Sequence, residues 1–516
     1  MATEMRVPVD VGEGTAKKLL QRASLVAAGT LYQQGVAFAS GLIVARVIGA
    51  ADYGVFALAR SLVDVAATVT RLGLDIGLQR FFGETSIPLN KVSRGVMLRR
   101  LRLCAAATAL IVVFAVALGL GRFLEAHVYR YTDFAAVLLC LSLTLPFAND
   151  VSVLGGAYRG ILNLTPSVLV ECILQPTVRL AAIGALLWMG WRLWAVAYGT
   201  TFAACLACLV LALASRGAFR DGEERGHASW TDALRVVRYS IVLAGAVLVT
   251  SLTTSIDVLV LAHFTSAEEV GRYSLVKTLL LVMGVLGAAF VQGLGTTVAA
   301  LHFRGDGAAM RRAMVHSVTW IARTTLPVFV VFVFWGADLM PLFGPTFESP
   351  PTVVRSLAAA QLAFVVLGPC GWALSMTGKH LLELGVLLLG LAVAAVLCWL
   401  AVPAFGEAGA AVAMAASTVA TNALRVAVVR RRYGAWPFGG EIIWLTAVSL
   451  ALGWISNTAV AAVGLPPPWR AFAGAVCFLI AFVAVLWRFV LDDTEREALL
   501  GSVRGAQLRF FFGARA

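Results

Sequence analysis

Arg60, Asp64, Arg71 and Asp75 punctuate an otherwise apolar stretch, FALARSLVDVAATVTRLGLDIGLQ. On a helix that turns about 100° per residue, Asp64 lies about 40°, Arg71 about 20° and Asp75 about 60° from Arg60, with Thr68 at about 80°. All four charges share one narrow stripe, and the rest of the circumference is apolar. An ionised side chain facing lipid costs at least about 2.5–3.5 kcal/mol, so such a stripe is expected to face a bundle interior or a water-filled cavity. Arg60–Asp64 and Arg71–Asp75 are i, i+4 pairs that can form a structural ladder. A ladder can also line a cavity and be rearranged by a substrate.

Other apolar segments carry polar groups of the same kind. Lys277, Gly284, Ala288 and Gln292 repeat the stripe in weaker form, a cation without an acid four residues on. Glu171, Gln175 and Arg179 follow at i, i+4 and i+8. Thr250, Thr254 and Asp257 share a face. Asp257 has no basic neighbour close in sequence, which makes it a candidate carrier of a proton or Na⁺, the alternative being a paired core carboxylate. Asn149 and Asp150 end one apolar segment, and Arg46 ends another, where it either joins the polar set or snorkels to the interface.

No catalytic or metal-binding constellation accompanies these groups. The eight cysteines lie in or beside apolar segments, and Cys205 and Cys208 form a CxxC without a second pair, so all are read as small core residues. The six histidines never stand at ligand spacing. Asn163-Leu164-Thr165 matches a glycosylation sequon but is followed by Pro166 on the side expected to be cytoplasmic. Phosphate-binding loops, GxSxG and HExxH are absent in any usable context. The sequence reads as a non-enzyme without a resident cofactor, a coupling proton or Na⁺ aside.

The elements that must hold these charges are membrane helices. Of 516 residues, 60% are hydrophobic and 13% charged, and mean hydropathy is +0.87. Apolar runs of roughly 20 residues, each long enough to cross about 30 Å of hydrocarbon, recur along the chain, and they are too continuous for a barrel's alternation. Fourteen spans are expected, at 24–48, 53–79, 98–120, 133–157, 164–189, 193–214, 236–264, 270–299, 314–336, 353–376, 381–402, 407–429, 441–462 and 470–490. The formal charge of +13 gathers in alternate connections, at Lys17/Lys18/Arg22, Lys91–Arg102, Arg216–Arg225, Arg304–Arg312, Arg430–Arg432 and the tail. That distribution orients a membrane protein rather than recognising nucleic acid, and it puts both termini in the cytoplasm. The opposite connections carry Asp52, Glu268, Glu269, Asp338, Glu348 and Glu407. No cleavable signal peptide is expected, because the polar N-terminus leads straight into the first span.

An internal repeat sharpens the architecture. Shifted by 217 positions without a gap, Ala45 meets Ala262, Ala50 meets Ala267, Gly54 meets Gly271 and Leu58 meets Leu275. Asp52 pairs with Glu269, Phe56 with Tyr273 and Arg60 with Lys277, while Gly160 and Gly378 keep nearly the same offset. Six spans per unit is even, so the halves share one orientation. The expectation is an all-α integral membrane protein of about fourteen transmembrane helices, two six-helix repeats plus two C-terminal helices. Its expected divisions are a cytoplasmic segment 1–23, an N-lobe 24–215, a cytoplasmic linker 216–235, a C-lobe 236–430, two further spans in 431–490 and a tail 491–516 that can form an interfacial helix.

LIVARVIGAADYGVFALARSL followed by LGLDIGLQRFF, 72–82, resembles the start of the bacterial polysaccharide transporters, the O-antigen flippase-type members of the MOP (multidrug/oligosaccharidyl-lipid/polysaccharide) exporter superfamily. Arg46, Gly49, Asp52, Tyr53 and Gly54 occupy that family's first turn, and Leu72, Gly73 and Leu74 the end of its second span. FGEAGAAVAMAASTVATNALRV, 405–426, resembles its twelfth span. The resemblance implies a MATE-like V-shaped carrier of two lobes that opens alternately to either face of the inner membrane. It implies transport of a polyprenyl-diphosphate-linked oligosaccharide, with lipid and a glycan polymerase or ligase as candidate partners. Arg60, Arg71 and Lys277, with Arg46 and Arg179, would then hold the diphosphate, since arginine grips phosphate oxygens in a fork. Gln33, Gln34 and Gln292 would meet sugar hydroxyls, and Asp64, Asp75, Asp150, Glu171 and Asp257 would be cavity acids or coupling sites. The alternatives are a cation-coupled drug exporter, which would want a net acidic cavity, and a peptidoglycan-precursor flippase of the same fold. A membrane enzyme acting on polyprenyl-linked glycans would want a long outer loop, and no such loop is expected.

Overall fold

The computed structural model describes residues 13–83, 91–219, 230–303, 307–377, 379–434, 436, 438–491, 493 and 495–497. Among them the chain is helical throughout. In order come α1 (Glu13–Ile48), α2 (Ala50–Thr70), α3 (Leu74–Gly83), α4 (Arg94–Tyr129), α5 (Phe134–Gly160), α6 (Thr165–Trp188) and α7 (Arg192–Phe219). The second unit comprises α8 (Trp230–Phe264), α9 (Ala267–Phe303), α10 (Gly307–Leu339), α11 (Pro351–Met376) and α12 (His380–Tyr433), and α13 (Gly440–Ala461) and α14 (Pro467–Val485) follow. Eleven helices among the described residues are long and apolar enough to cross a membrane. α12 has 54 residues, about 80 Å if straight at 1.5 Å per residue. It doubles back at Gly406 (φ 53, ψ −133), a conformation only glycine adopts without strain, so it supplies two crossings.

The expected second span, 53–79, is corrected in one respect: it is two helices. Leu72 (φ 55) and Gly73 (φ 67) take left-handed backbone between α2 and α3. The shared stripe therefore holds for Arg60 and Asp64 alone, and Arg71 and Asp75 stand on either side of a break. Gly73 is needed there twice over, because a methyl in its place would also come within 2.5 Å of the Ser240 carbonyl.

In the first unit α5 packs on α3, α4 and α7, and α6 on α7 and α1. In the second, α11 packs on α9, α10 and α12, and α13 and α14 attach to α10. The two units meet mainly where α2 crosses α8 and α9. There the repeat becomes visible as a contact: a methyl on Gly54 would overlap the Ala267 carbonyl, and one on Gly271 would overlap the Ala50 carbonyl. Residues 217 positions apart thus face each other reciprocally, as small residues do when helix backbones approach closely in lipid.

This crossing lies at the end of the bundle that carries the acidic connections, and other contacts reinforce it. Arg46 Nη1 donates to the Leu342 carbonyl at 2.9 Å, and the Ala50 amide to Thr346 Oγ1 at 3.4 Å. Tyr53 meets Phe347 edge-on with centroids 6.1 Å apart and shares a 3.1 Å hydrogen bond with Thr278. The Tyr131 hydroxyl donates to the Ala262 and Thr265 carbonyls at 3.0 and 2.8 Å; burial holds this phenol well above its usual pKa, so it stays a donor. At the opposite, basic end, α8 reaches across to α3, with Phe81 edge-on to Tyr239 and Arg80 over the Tyr239 ring.

Gly378, 1–12, 84–90, 220–229 and the tail beyond 497 lie outside the described residues. Glu495, just before that tail, accepts from Arg323 Nη1 at 3.0 Å.

Candidate functional site

Three groups of charges stand along the helices. In the first, Arg60 Nε donates to both oxygens of Asp64 at 2.8 and 2.9 Å. The pair is accessible, at 39% and 49% of the side chains, although α2 is central in the bundle. Because Nε makes both bonds, the two terminal amino groups of Arg60 stay uncommitted among the described residues. Arg179, brought in by α6, lies within electrostatic reach of Arg60 and Asp64 and makes no ion pair or hydrogen bond among the described residues. Two arginines against one carboxylate leave one positive charge uncompensated.

The second group lies past the break in α2. Arg71 Nη1 is 3.6 Å from Asp75 Oδ2, an ion pair too long for a hydrogen bond, and Arg71 Nε is buried without a partner among the described residues. Glu171 accepts from Ser167 at 2.8 Å and stands 3.8 Å from Arg159, with Arg71 and Asp75 within electrostatic reach. Here two arginines balance two carboxylates. The turn of α6 that carries Glu171 is a π segment, Leu169–Leu174, so the even i, i+4, i+8 stripe expected for Glu171, Gln175 and Arg179 is split: Glu171 serves this group and Arg179 the first. Arg159 was legible only as a cation near the basic end of α5.

The third group is the repeat's counterpart of the first, and it is closed. Lys277 Nζ donates to Asp257 at 2.8 and 3.0 Å and to the Thr254 carbonyl at 2.9 Å, and the Tyr273 hydroxyl donates to Asp257 Oδ2 at 2.7 Å. The Asp257 side chain is 1% accessible. The basic partner that Asp257 lacks nearby in sequence comes from α9, 20 positions on. The first unit cannot build the same arrangement, because Ser40 and Phe56 stand 217 positions before Asp257 and Tyr273.

The remaining candidates are elsewhere. Arg46 joins the two units at the acidic end and is not among the other cations. Asp150 forms a two-point ion pair with Arg102 at 2.5 and 2.8 Å and accepts from Cys208 at 3.2 Å, tying α4, α5 and α7 together. Asn149, fully buried, donates to Thr70. Gln33 and Gln34 are half-buried on α1 and make no hydrogen bond among the described residues. Gln292 lies further along α9, where the backbone alone is described.

Eleven helices long and apolar enough to cross a membrane among the described residues, packed in two units, define a multi-pass integral membrane protein. Residues 19–294 match the family model described as polysaccharide biosynthesis protein, and the chain belongs to that family. Solved structures of membrane transporters share its fold. A structure of the lipid II flippase MurJ in an inward closed conformation superposes with TM-score 0.68 at 11% identity, over 90% of this chain and 99% of that one. An inward-facing multidrug resistance MATE family transporter of the MOP superfamily gives 0.61 at 13% identity, over 79% and 98%. The Vibrio cholerae MATE transporter VcmN in its bent form gives 0.55 at 13%, over 81% and 97%. No curated protein matches the chain.

Proposed function

We propose that the protein translocates a polyprenyl-diphosphate-linked oligosaccharide across the cytoplasmic membrane by alternating access, with no bond made or broken. The reading rests on family membership and on one observation: the Arg60–Asp64–Arg179 group offers an unpaired guanidinium and the free amino groups of a second one at a solvent-accessible position. A diphosphate is the ligand such a group suits, since two guanidinium forks can bind its oxygens in parallel. Entry of the anion sets negative charge against the uncompensated guanidinium and lets Arg60 exchange Asp64 for phosphate. Arg71, beside the basic end, would meet the diphosphate on its way in, and Lys277 would close the far wall.

Both termini then lie in the cytoplasm, and the sealed acidic end faces outward. A drug exporter coupled to a cation would need a carboxylate free to take that cation. Asp64, Asp75, Asp150, Glu171 and Asp257 each have an arginine or lysine within 4.0 Å, which favours the anionic substrate.

The test is flipping of a fluorescent polyprenyl-diphosphate oligosaccharide in proteoliposomes. Arg60→Ala and Arg179→Ala should each abolish it, and Arg60→Lys should retain part. Normal flipping by both alanine variants would sink the diphosphate role.

A further inference from the structure

α8 is longer than a membrane crossing requires. Its 35 residues run about 52 Å at 1.5 Å per residue, whereas the hydrocarbon of a bilayer is about 30 Å thick. Ala244–Phe264 supplies a full crossing. The turns that precede it, from Trp230, carry Asp232, Arg235 and Arg238, so they belong in the headgroup layer at the basic end of the bundle.

These turns divide into three sectors around the helix. Ala233, Val236 and Ser240 form one, buried where α8 packs on α3 and α4. Next to it Trp230, Leu234, Val237 and Ile241 fall within about 60° of one another, and Trp230, Leu234 and Ile241 are 52%, 54% and 49% exposed. Beyond them, at about 80° and 140° from Trp230, stand the exposed Arg238 and Arg235. An apolar stripe beside a basic one, neither covered among the described residues, is the pattern of a helix lying in a bilayer interface. The stripe is particular to α8: 217 positions earlier, Glu13, Lys17, Leu20 and Ser24 stand in place of its four apolar residues.

Neighbouring helices add cations at the same level. The Arg100 guanidinium of α4 lies 4.8 Å from the centre of the Trp230 ring, and Arg80 of α3 lies over Tyr239. Arg238 makes no ion pair or hydrogen bond among the described residues. The Arg235 side chain is 74% accessible, with Asp232 at 3.8 Å, too far for a hydrogen bond.

We infer that the start of α8 binds the headgroup of an anionic phospholipid, with Arg235 and Arg238 against its phosphate and Trp230, Leu234 and Ile241 among its acyl chains. Charge selects this occupant. Each arginine near a membrane surface favours anionic lipid by about fivefold, and guanidinium forks suit phosphate oxygens. α8 packs on α3 of the first unit and on α12 of the second, so the lipid anchors a helix that ties the two units together.

Mass spectrometry of the purified full chain, released from micelles holding equal amounts of phosphatidylglycerol and phosphatidylethanolamine, tests the selectivity. The parent should retain phosphatidylglycerol in preference. Arg235→Gln and Arg238→Gln should each lower that preference about fivefold, and Arg238→Lys should keep most of it. Arg122→Gln, at the far end of α4, should leave it unchanged. Exposed arginines contribute little to stability, so these variants keep the parent's fold. A nitroxide on Leu234→Cys, in a chain freed of Cys205 and Cys477, reports the surroundings of the stripe in phosphatidylglycerol nanodiscs. Oxygen should relax it more than a water-soluble nickel chelate does. Equal retention of the two lipids, or an unchanged preference in the double variant Arg235→Gln/Arg238→Gln, overturns the proposal. So does relaxation chiefly by the nickel chelate, which would put the stripe in water and fit a soluble protein partner instead.

Discussion

Arg60 and Lys277 occupy matching positions of the repeat and are held in opposite ways. Arg60 shares an accessible, same-helix pair, and exposed pairs of this kind contribute about 0–1 kcal/mol. Lys277 neutralises a buried Asp257, and removing one member of a buried pair costs about 3–5 kcal/mol. Its side chain is 31% accessible, so the cost here is lowered to about 2–4 kcal/mol by the same reasoning. Lys277→Ala should accordingly lower the thermal midpoint in detergent by several degrees, and adding Asp257→Asn should recover much of that loss. Arg60→Ala should leave the midpoint nearly unchanged while abolishing flipping. If Lys277→Ala melts like the parent, the third group is not a structural lock. The distinction turns on solvent access, since a carboxylate that water can reach loses little when its partner goes.

Two glycine positions govern how the elements meet. The break at Leu72–Gly73 turns α3 away from α2 and lets Ser240 of α8 approach its backbone. Gly73→Ala combines a left-handed residue with a close contact, and either alone costs about 1–3 kcal/mol. It should destabilise the chain more than Gly35→Ala, where a methyl meets nothing within 4 Å; comparison of the two midpoints checks this. At the α2–α9 crossing the backbones touch, so Gly271→Val must push the helices apart. Spin labels at Trp191 and Phe405, exposed on opposite units, report that separation in a chain freed of the exposed Cys205 and Cys477. The distance distribution should broaden toward longer values in Gly271→Val. An unchanged distribution would mean that the crossing does not hold the outer end shut.

At the scale of the whole molecule, the proposed orientation, drawn from the alternating basic connections, puts both ends of the chain on one side. Cysteines introduced at Arg431 and at Trp191 should react with a membrane-impermeant maleimide from opposite faces of intact cells' membranes, Arg431 only after the cytoplasmic face is opened. Labelling of Arg431 but not of Trp191 from outside would reverse the proposed orientation, and with it the side from which substrate enters. Cohesion between the two units is concentrated at the acidic end and in α8, which crosses from α3 at one end to α12 at the other. Separation of the units therefore requires breaking the α2–α9 crossing while α8 stays attached to both, the behaviour of a hinge.

The chain's apolar run lengths determined its class, an all-helical membrane protein, because lipid leaves the backbone only helices. The reciprocal meeting of Gly54 and Gly271 could be suspected from the internal repeat, but only as a pairing of positions. Which charges pair was decided by tertiary structure. Arg60–Asp64 is a helix-periodic neighbour and was legible. Asp257–Lys277, Asp150–Arg102 and Glu171–Arg159 join different helices, and sequence periodicity says nothing of distances between helices. The π turn at Leu169–Leu174 was not legible either, because no local residue preference marks it, whereas Gly73 at the break after α2 stands in the Leu-Gly-Leu segment that the resemblance put at the end of the second span.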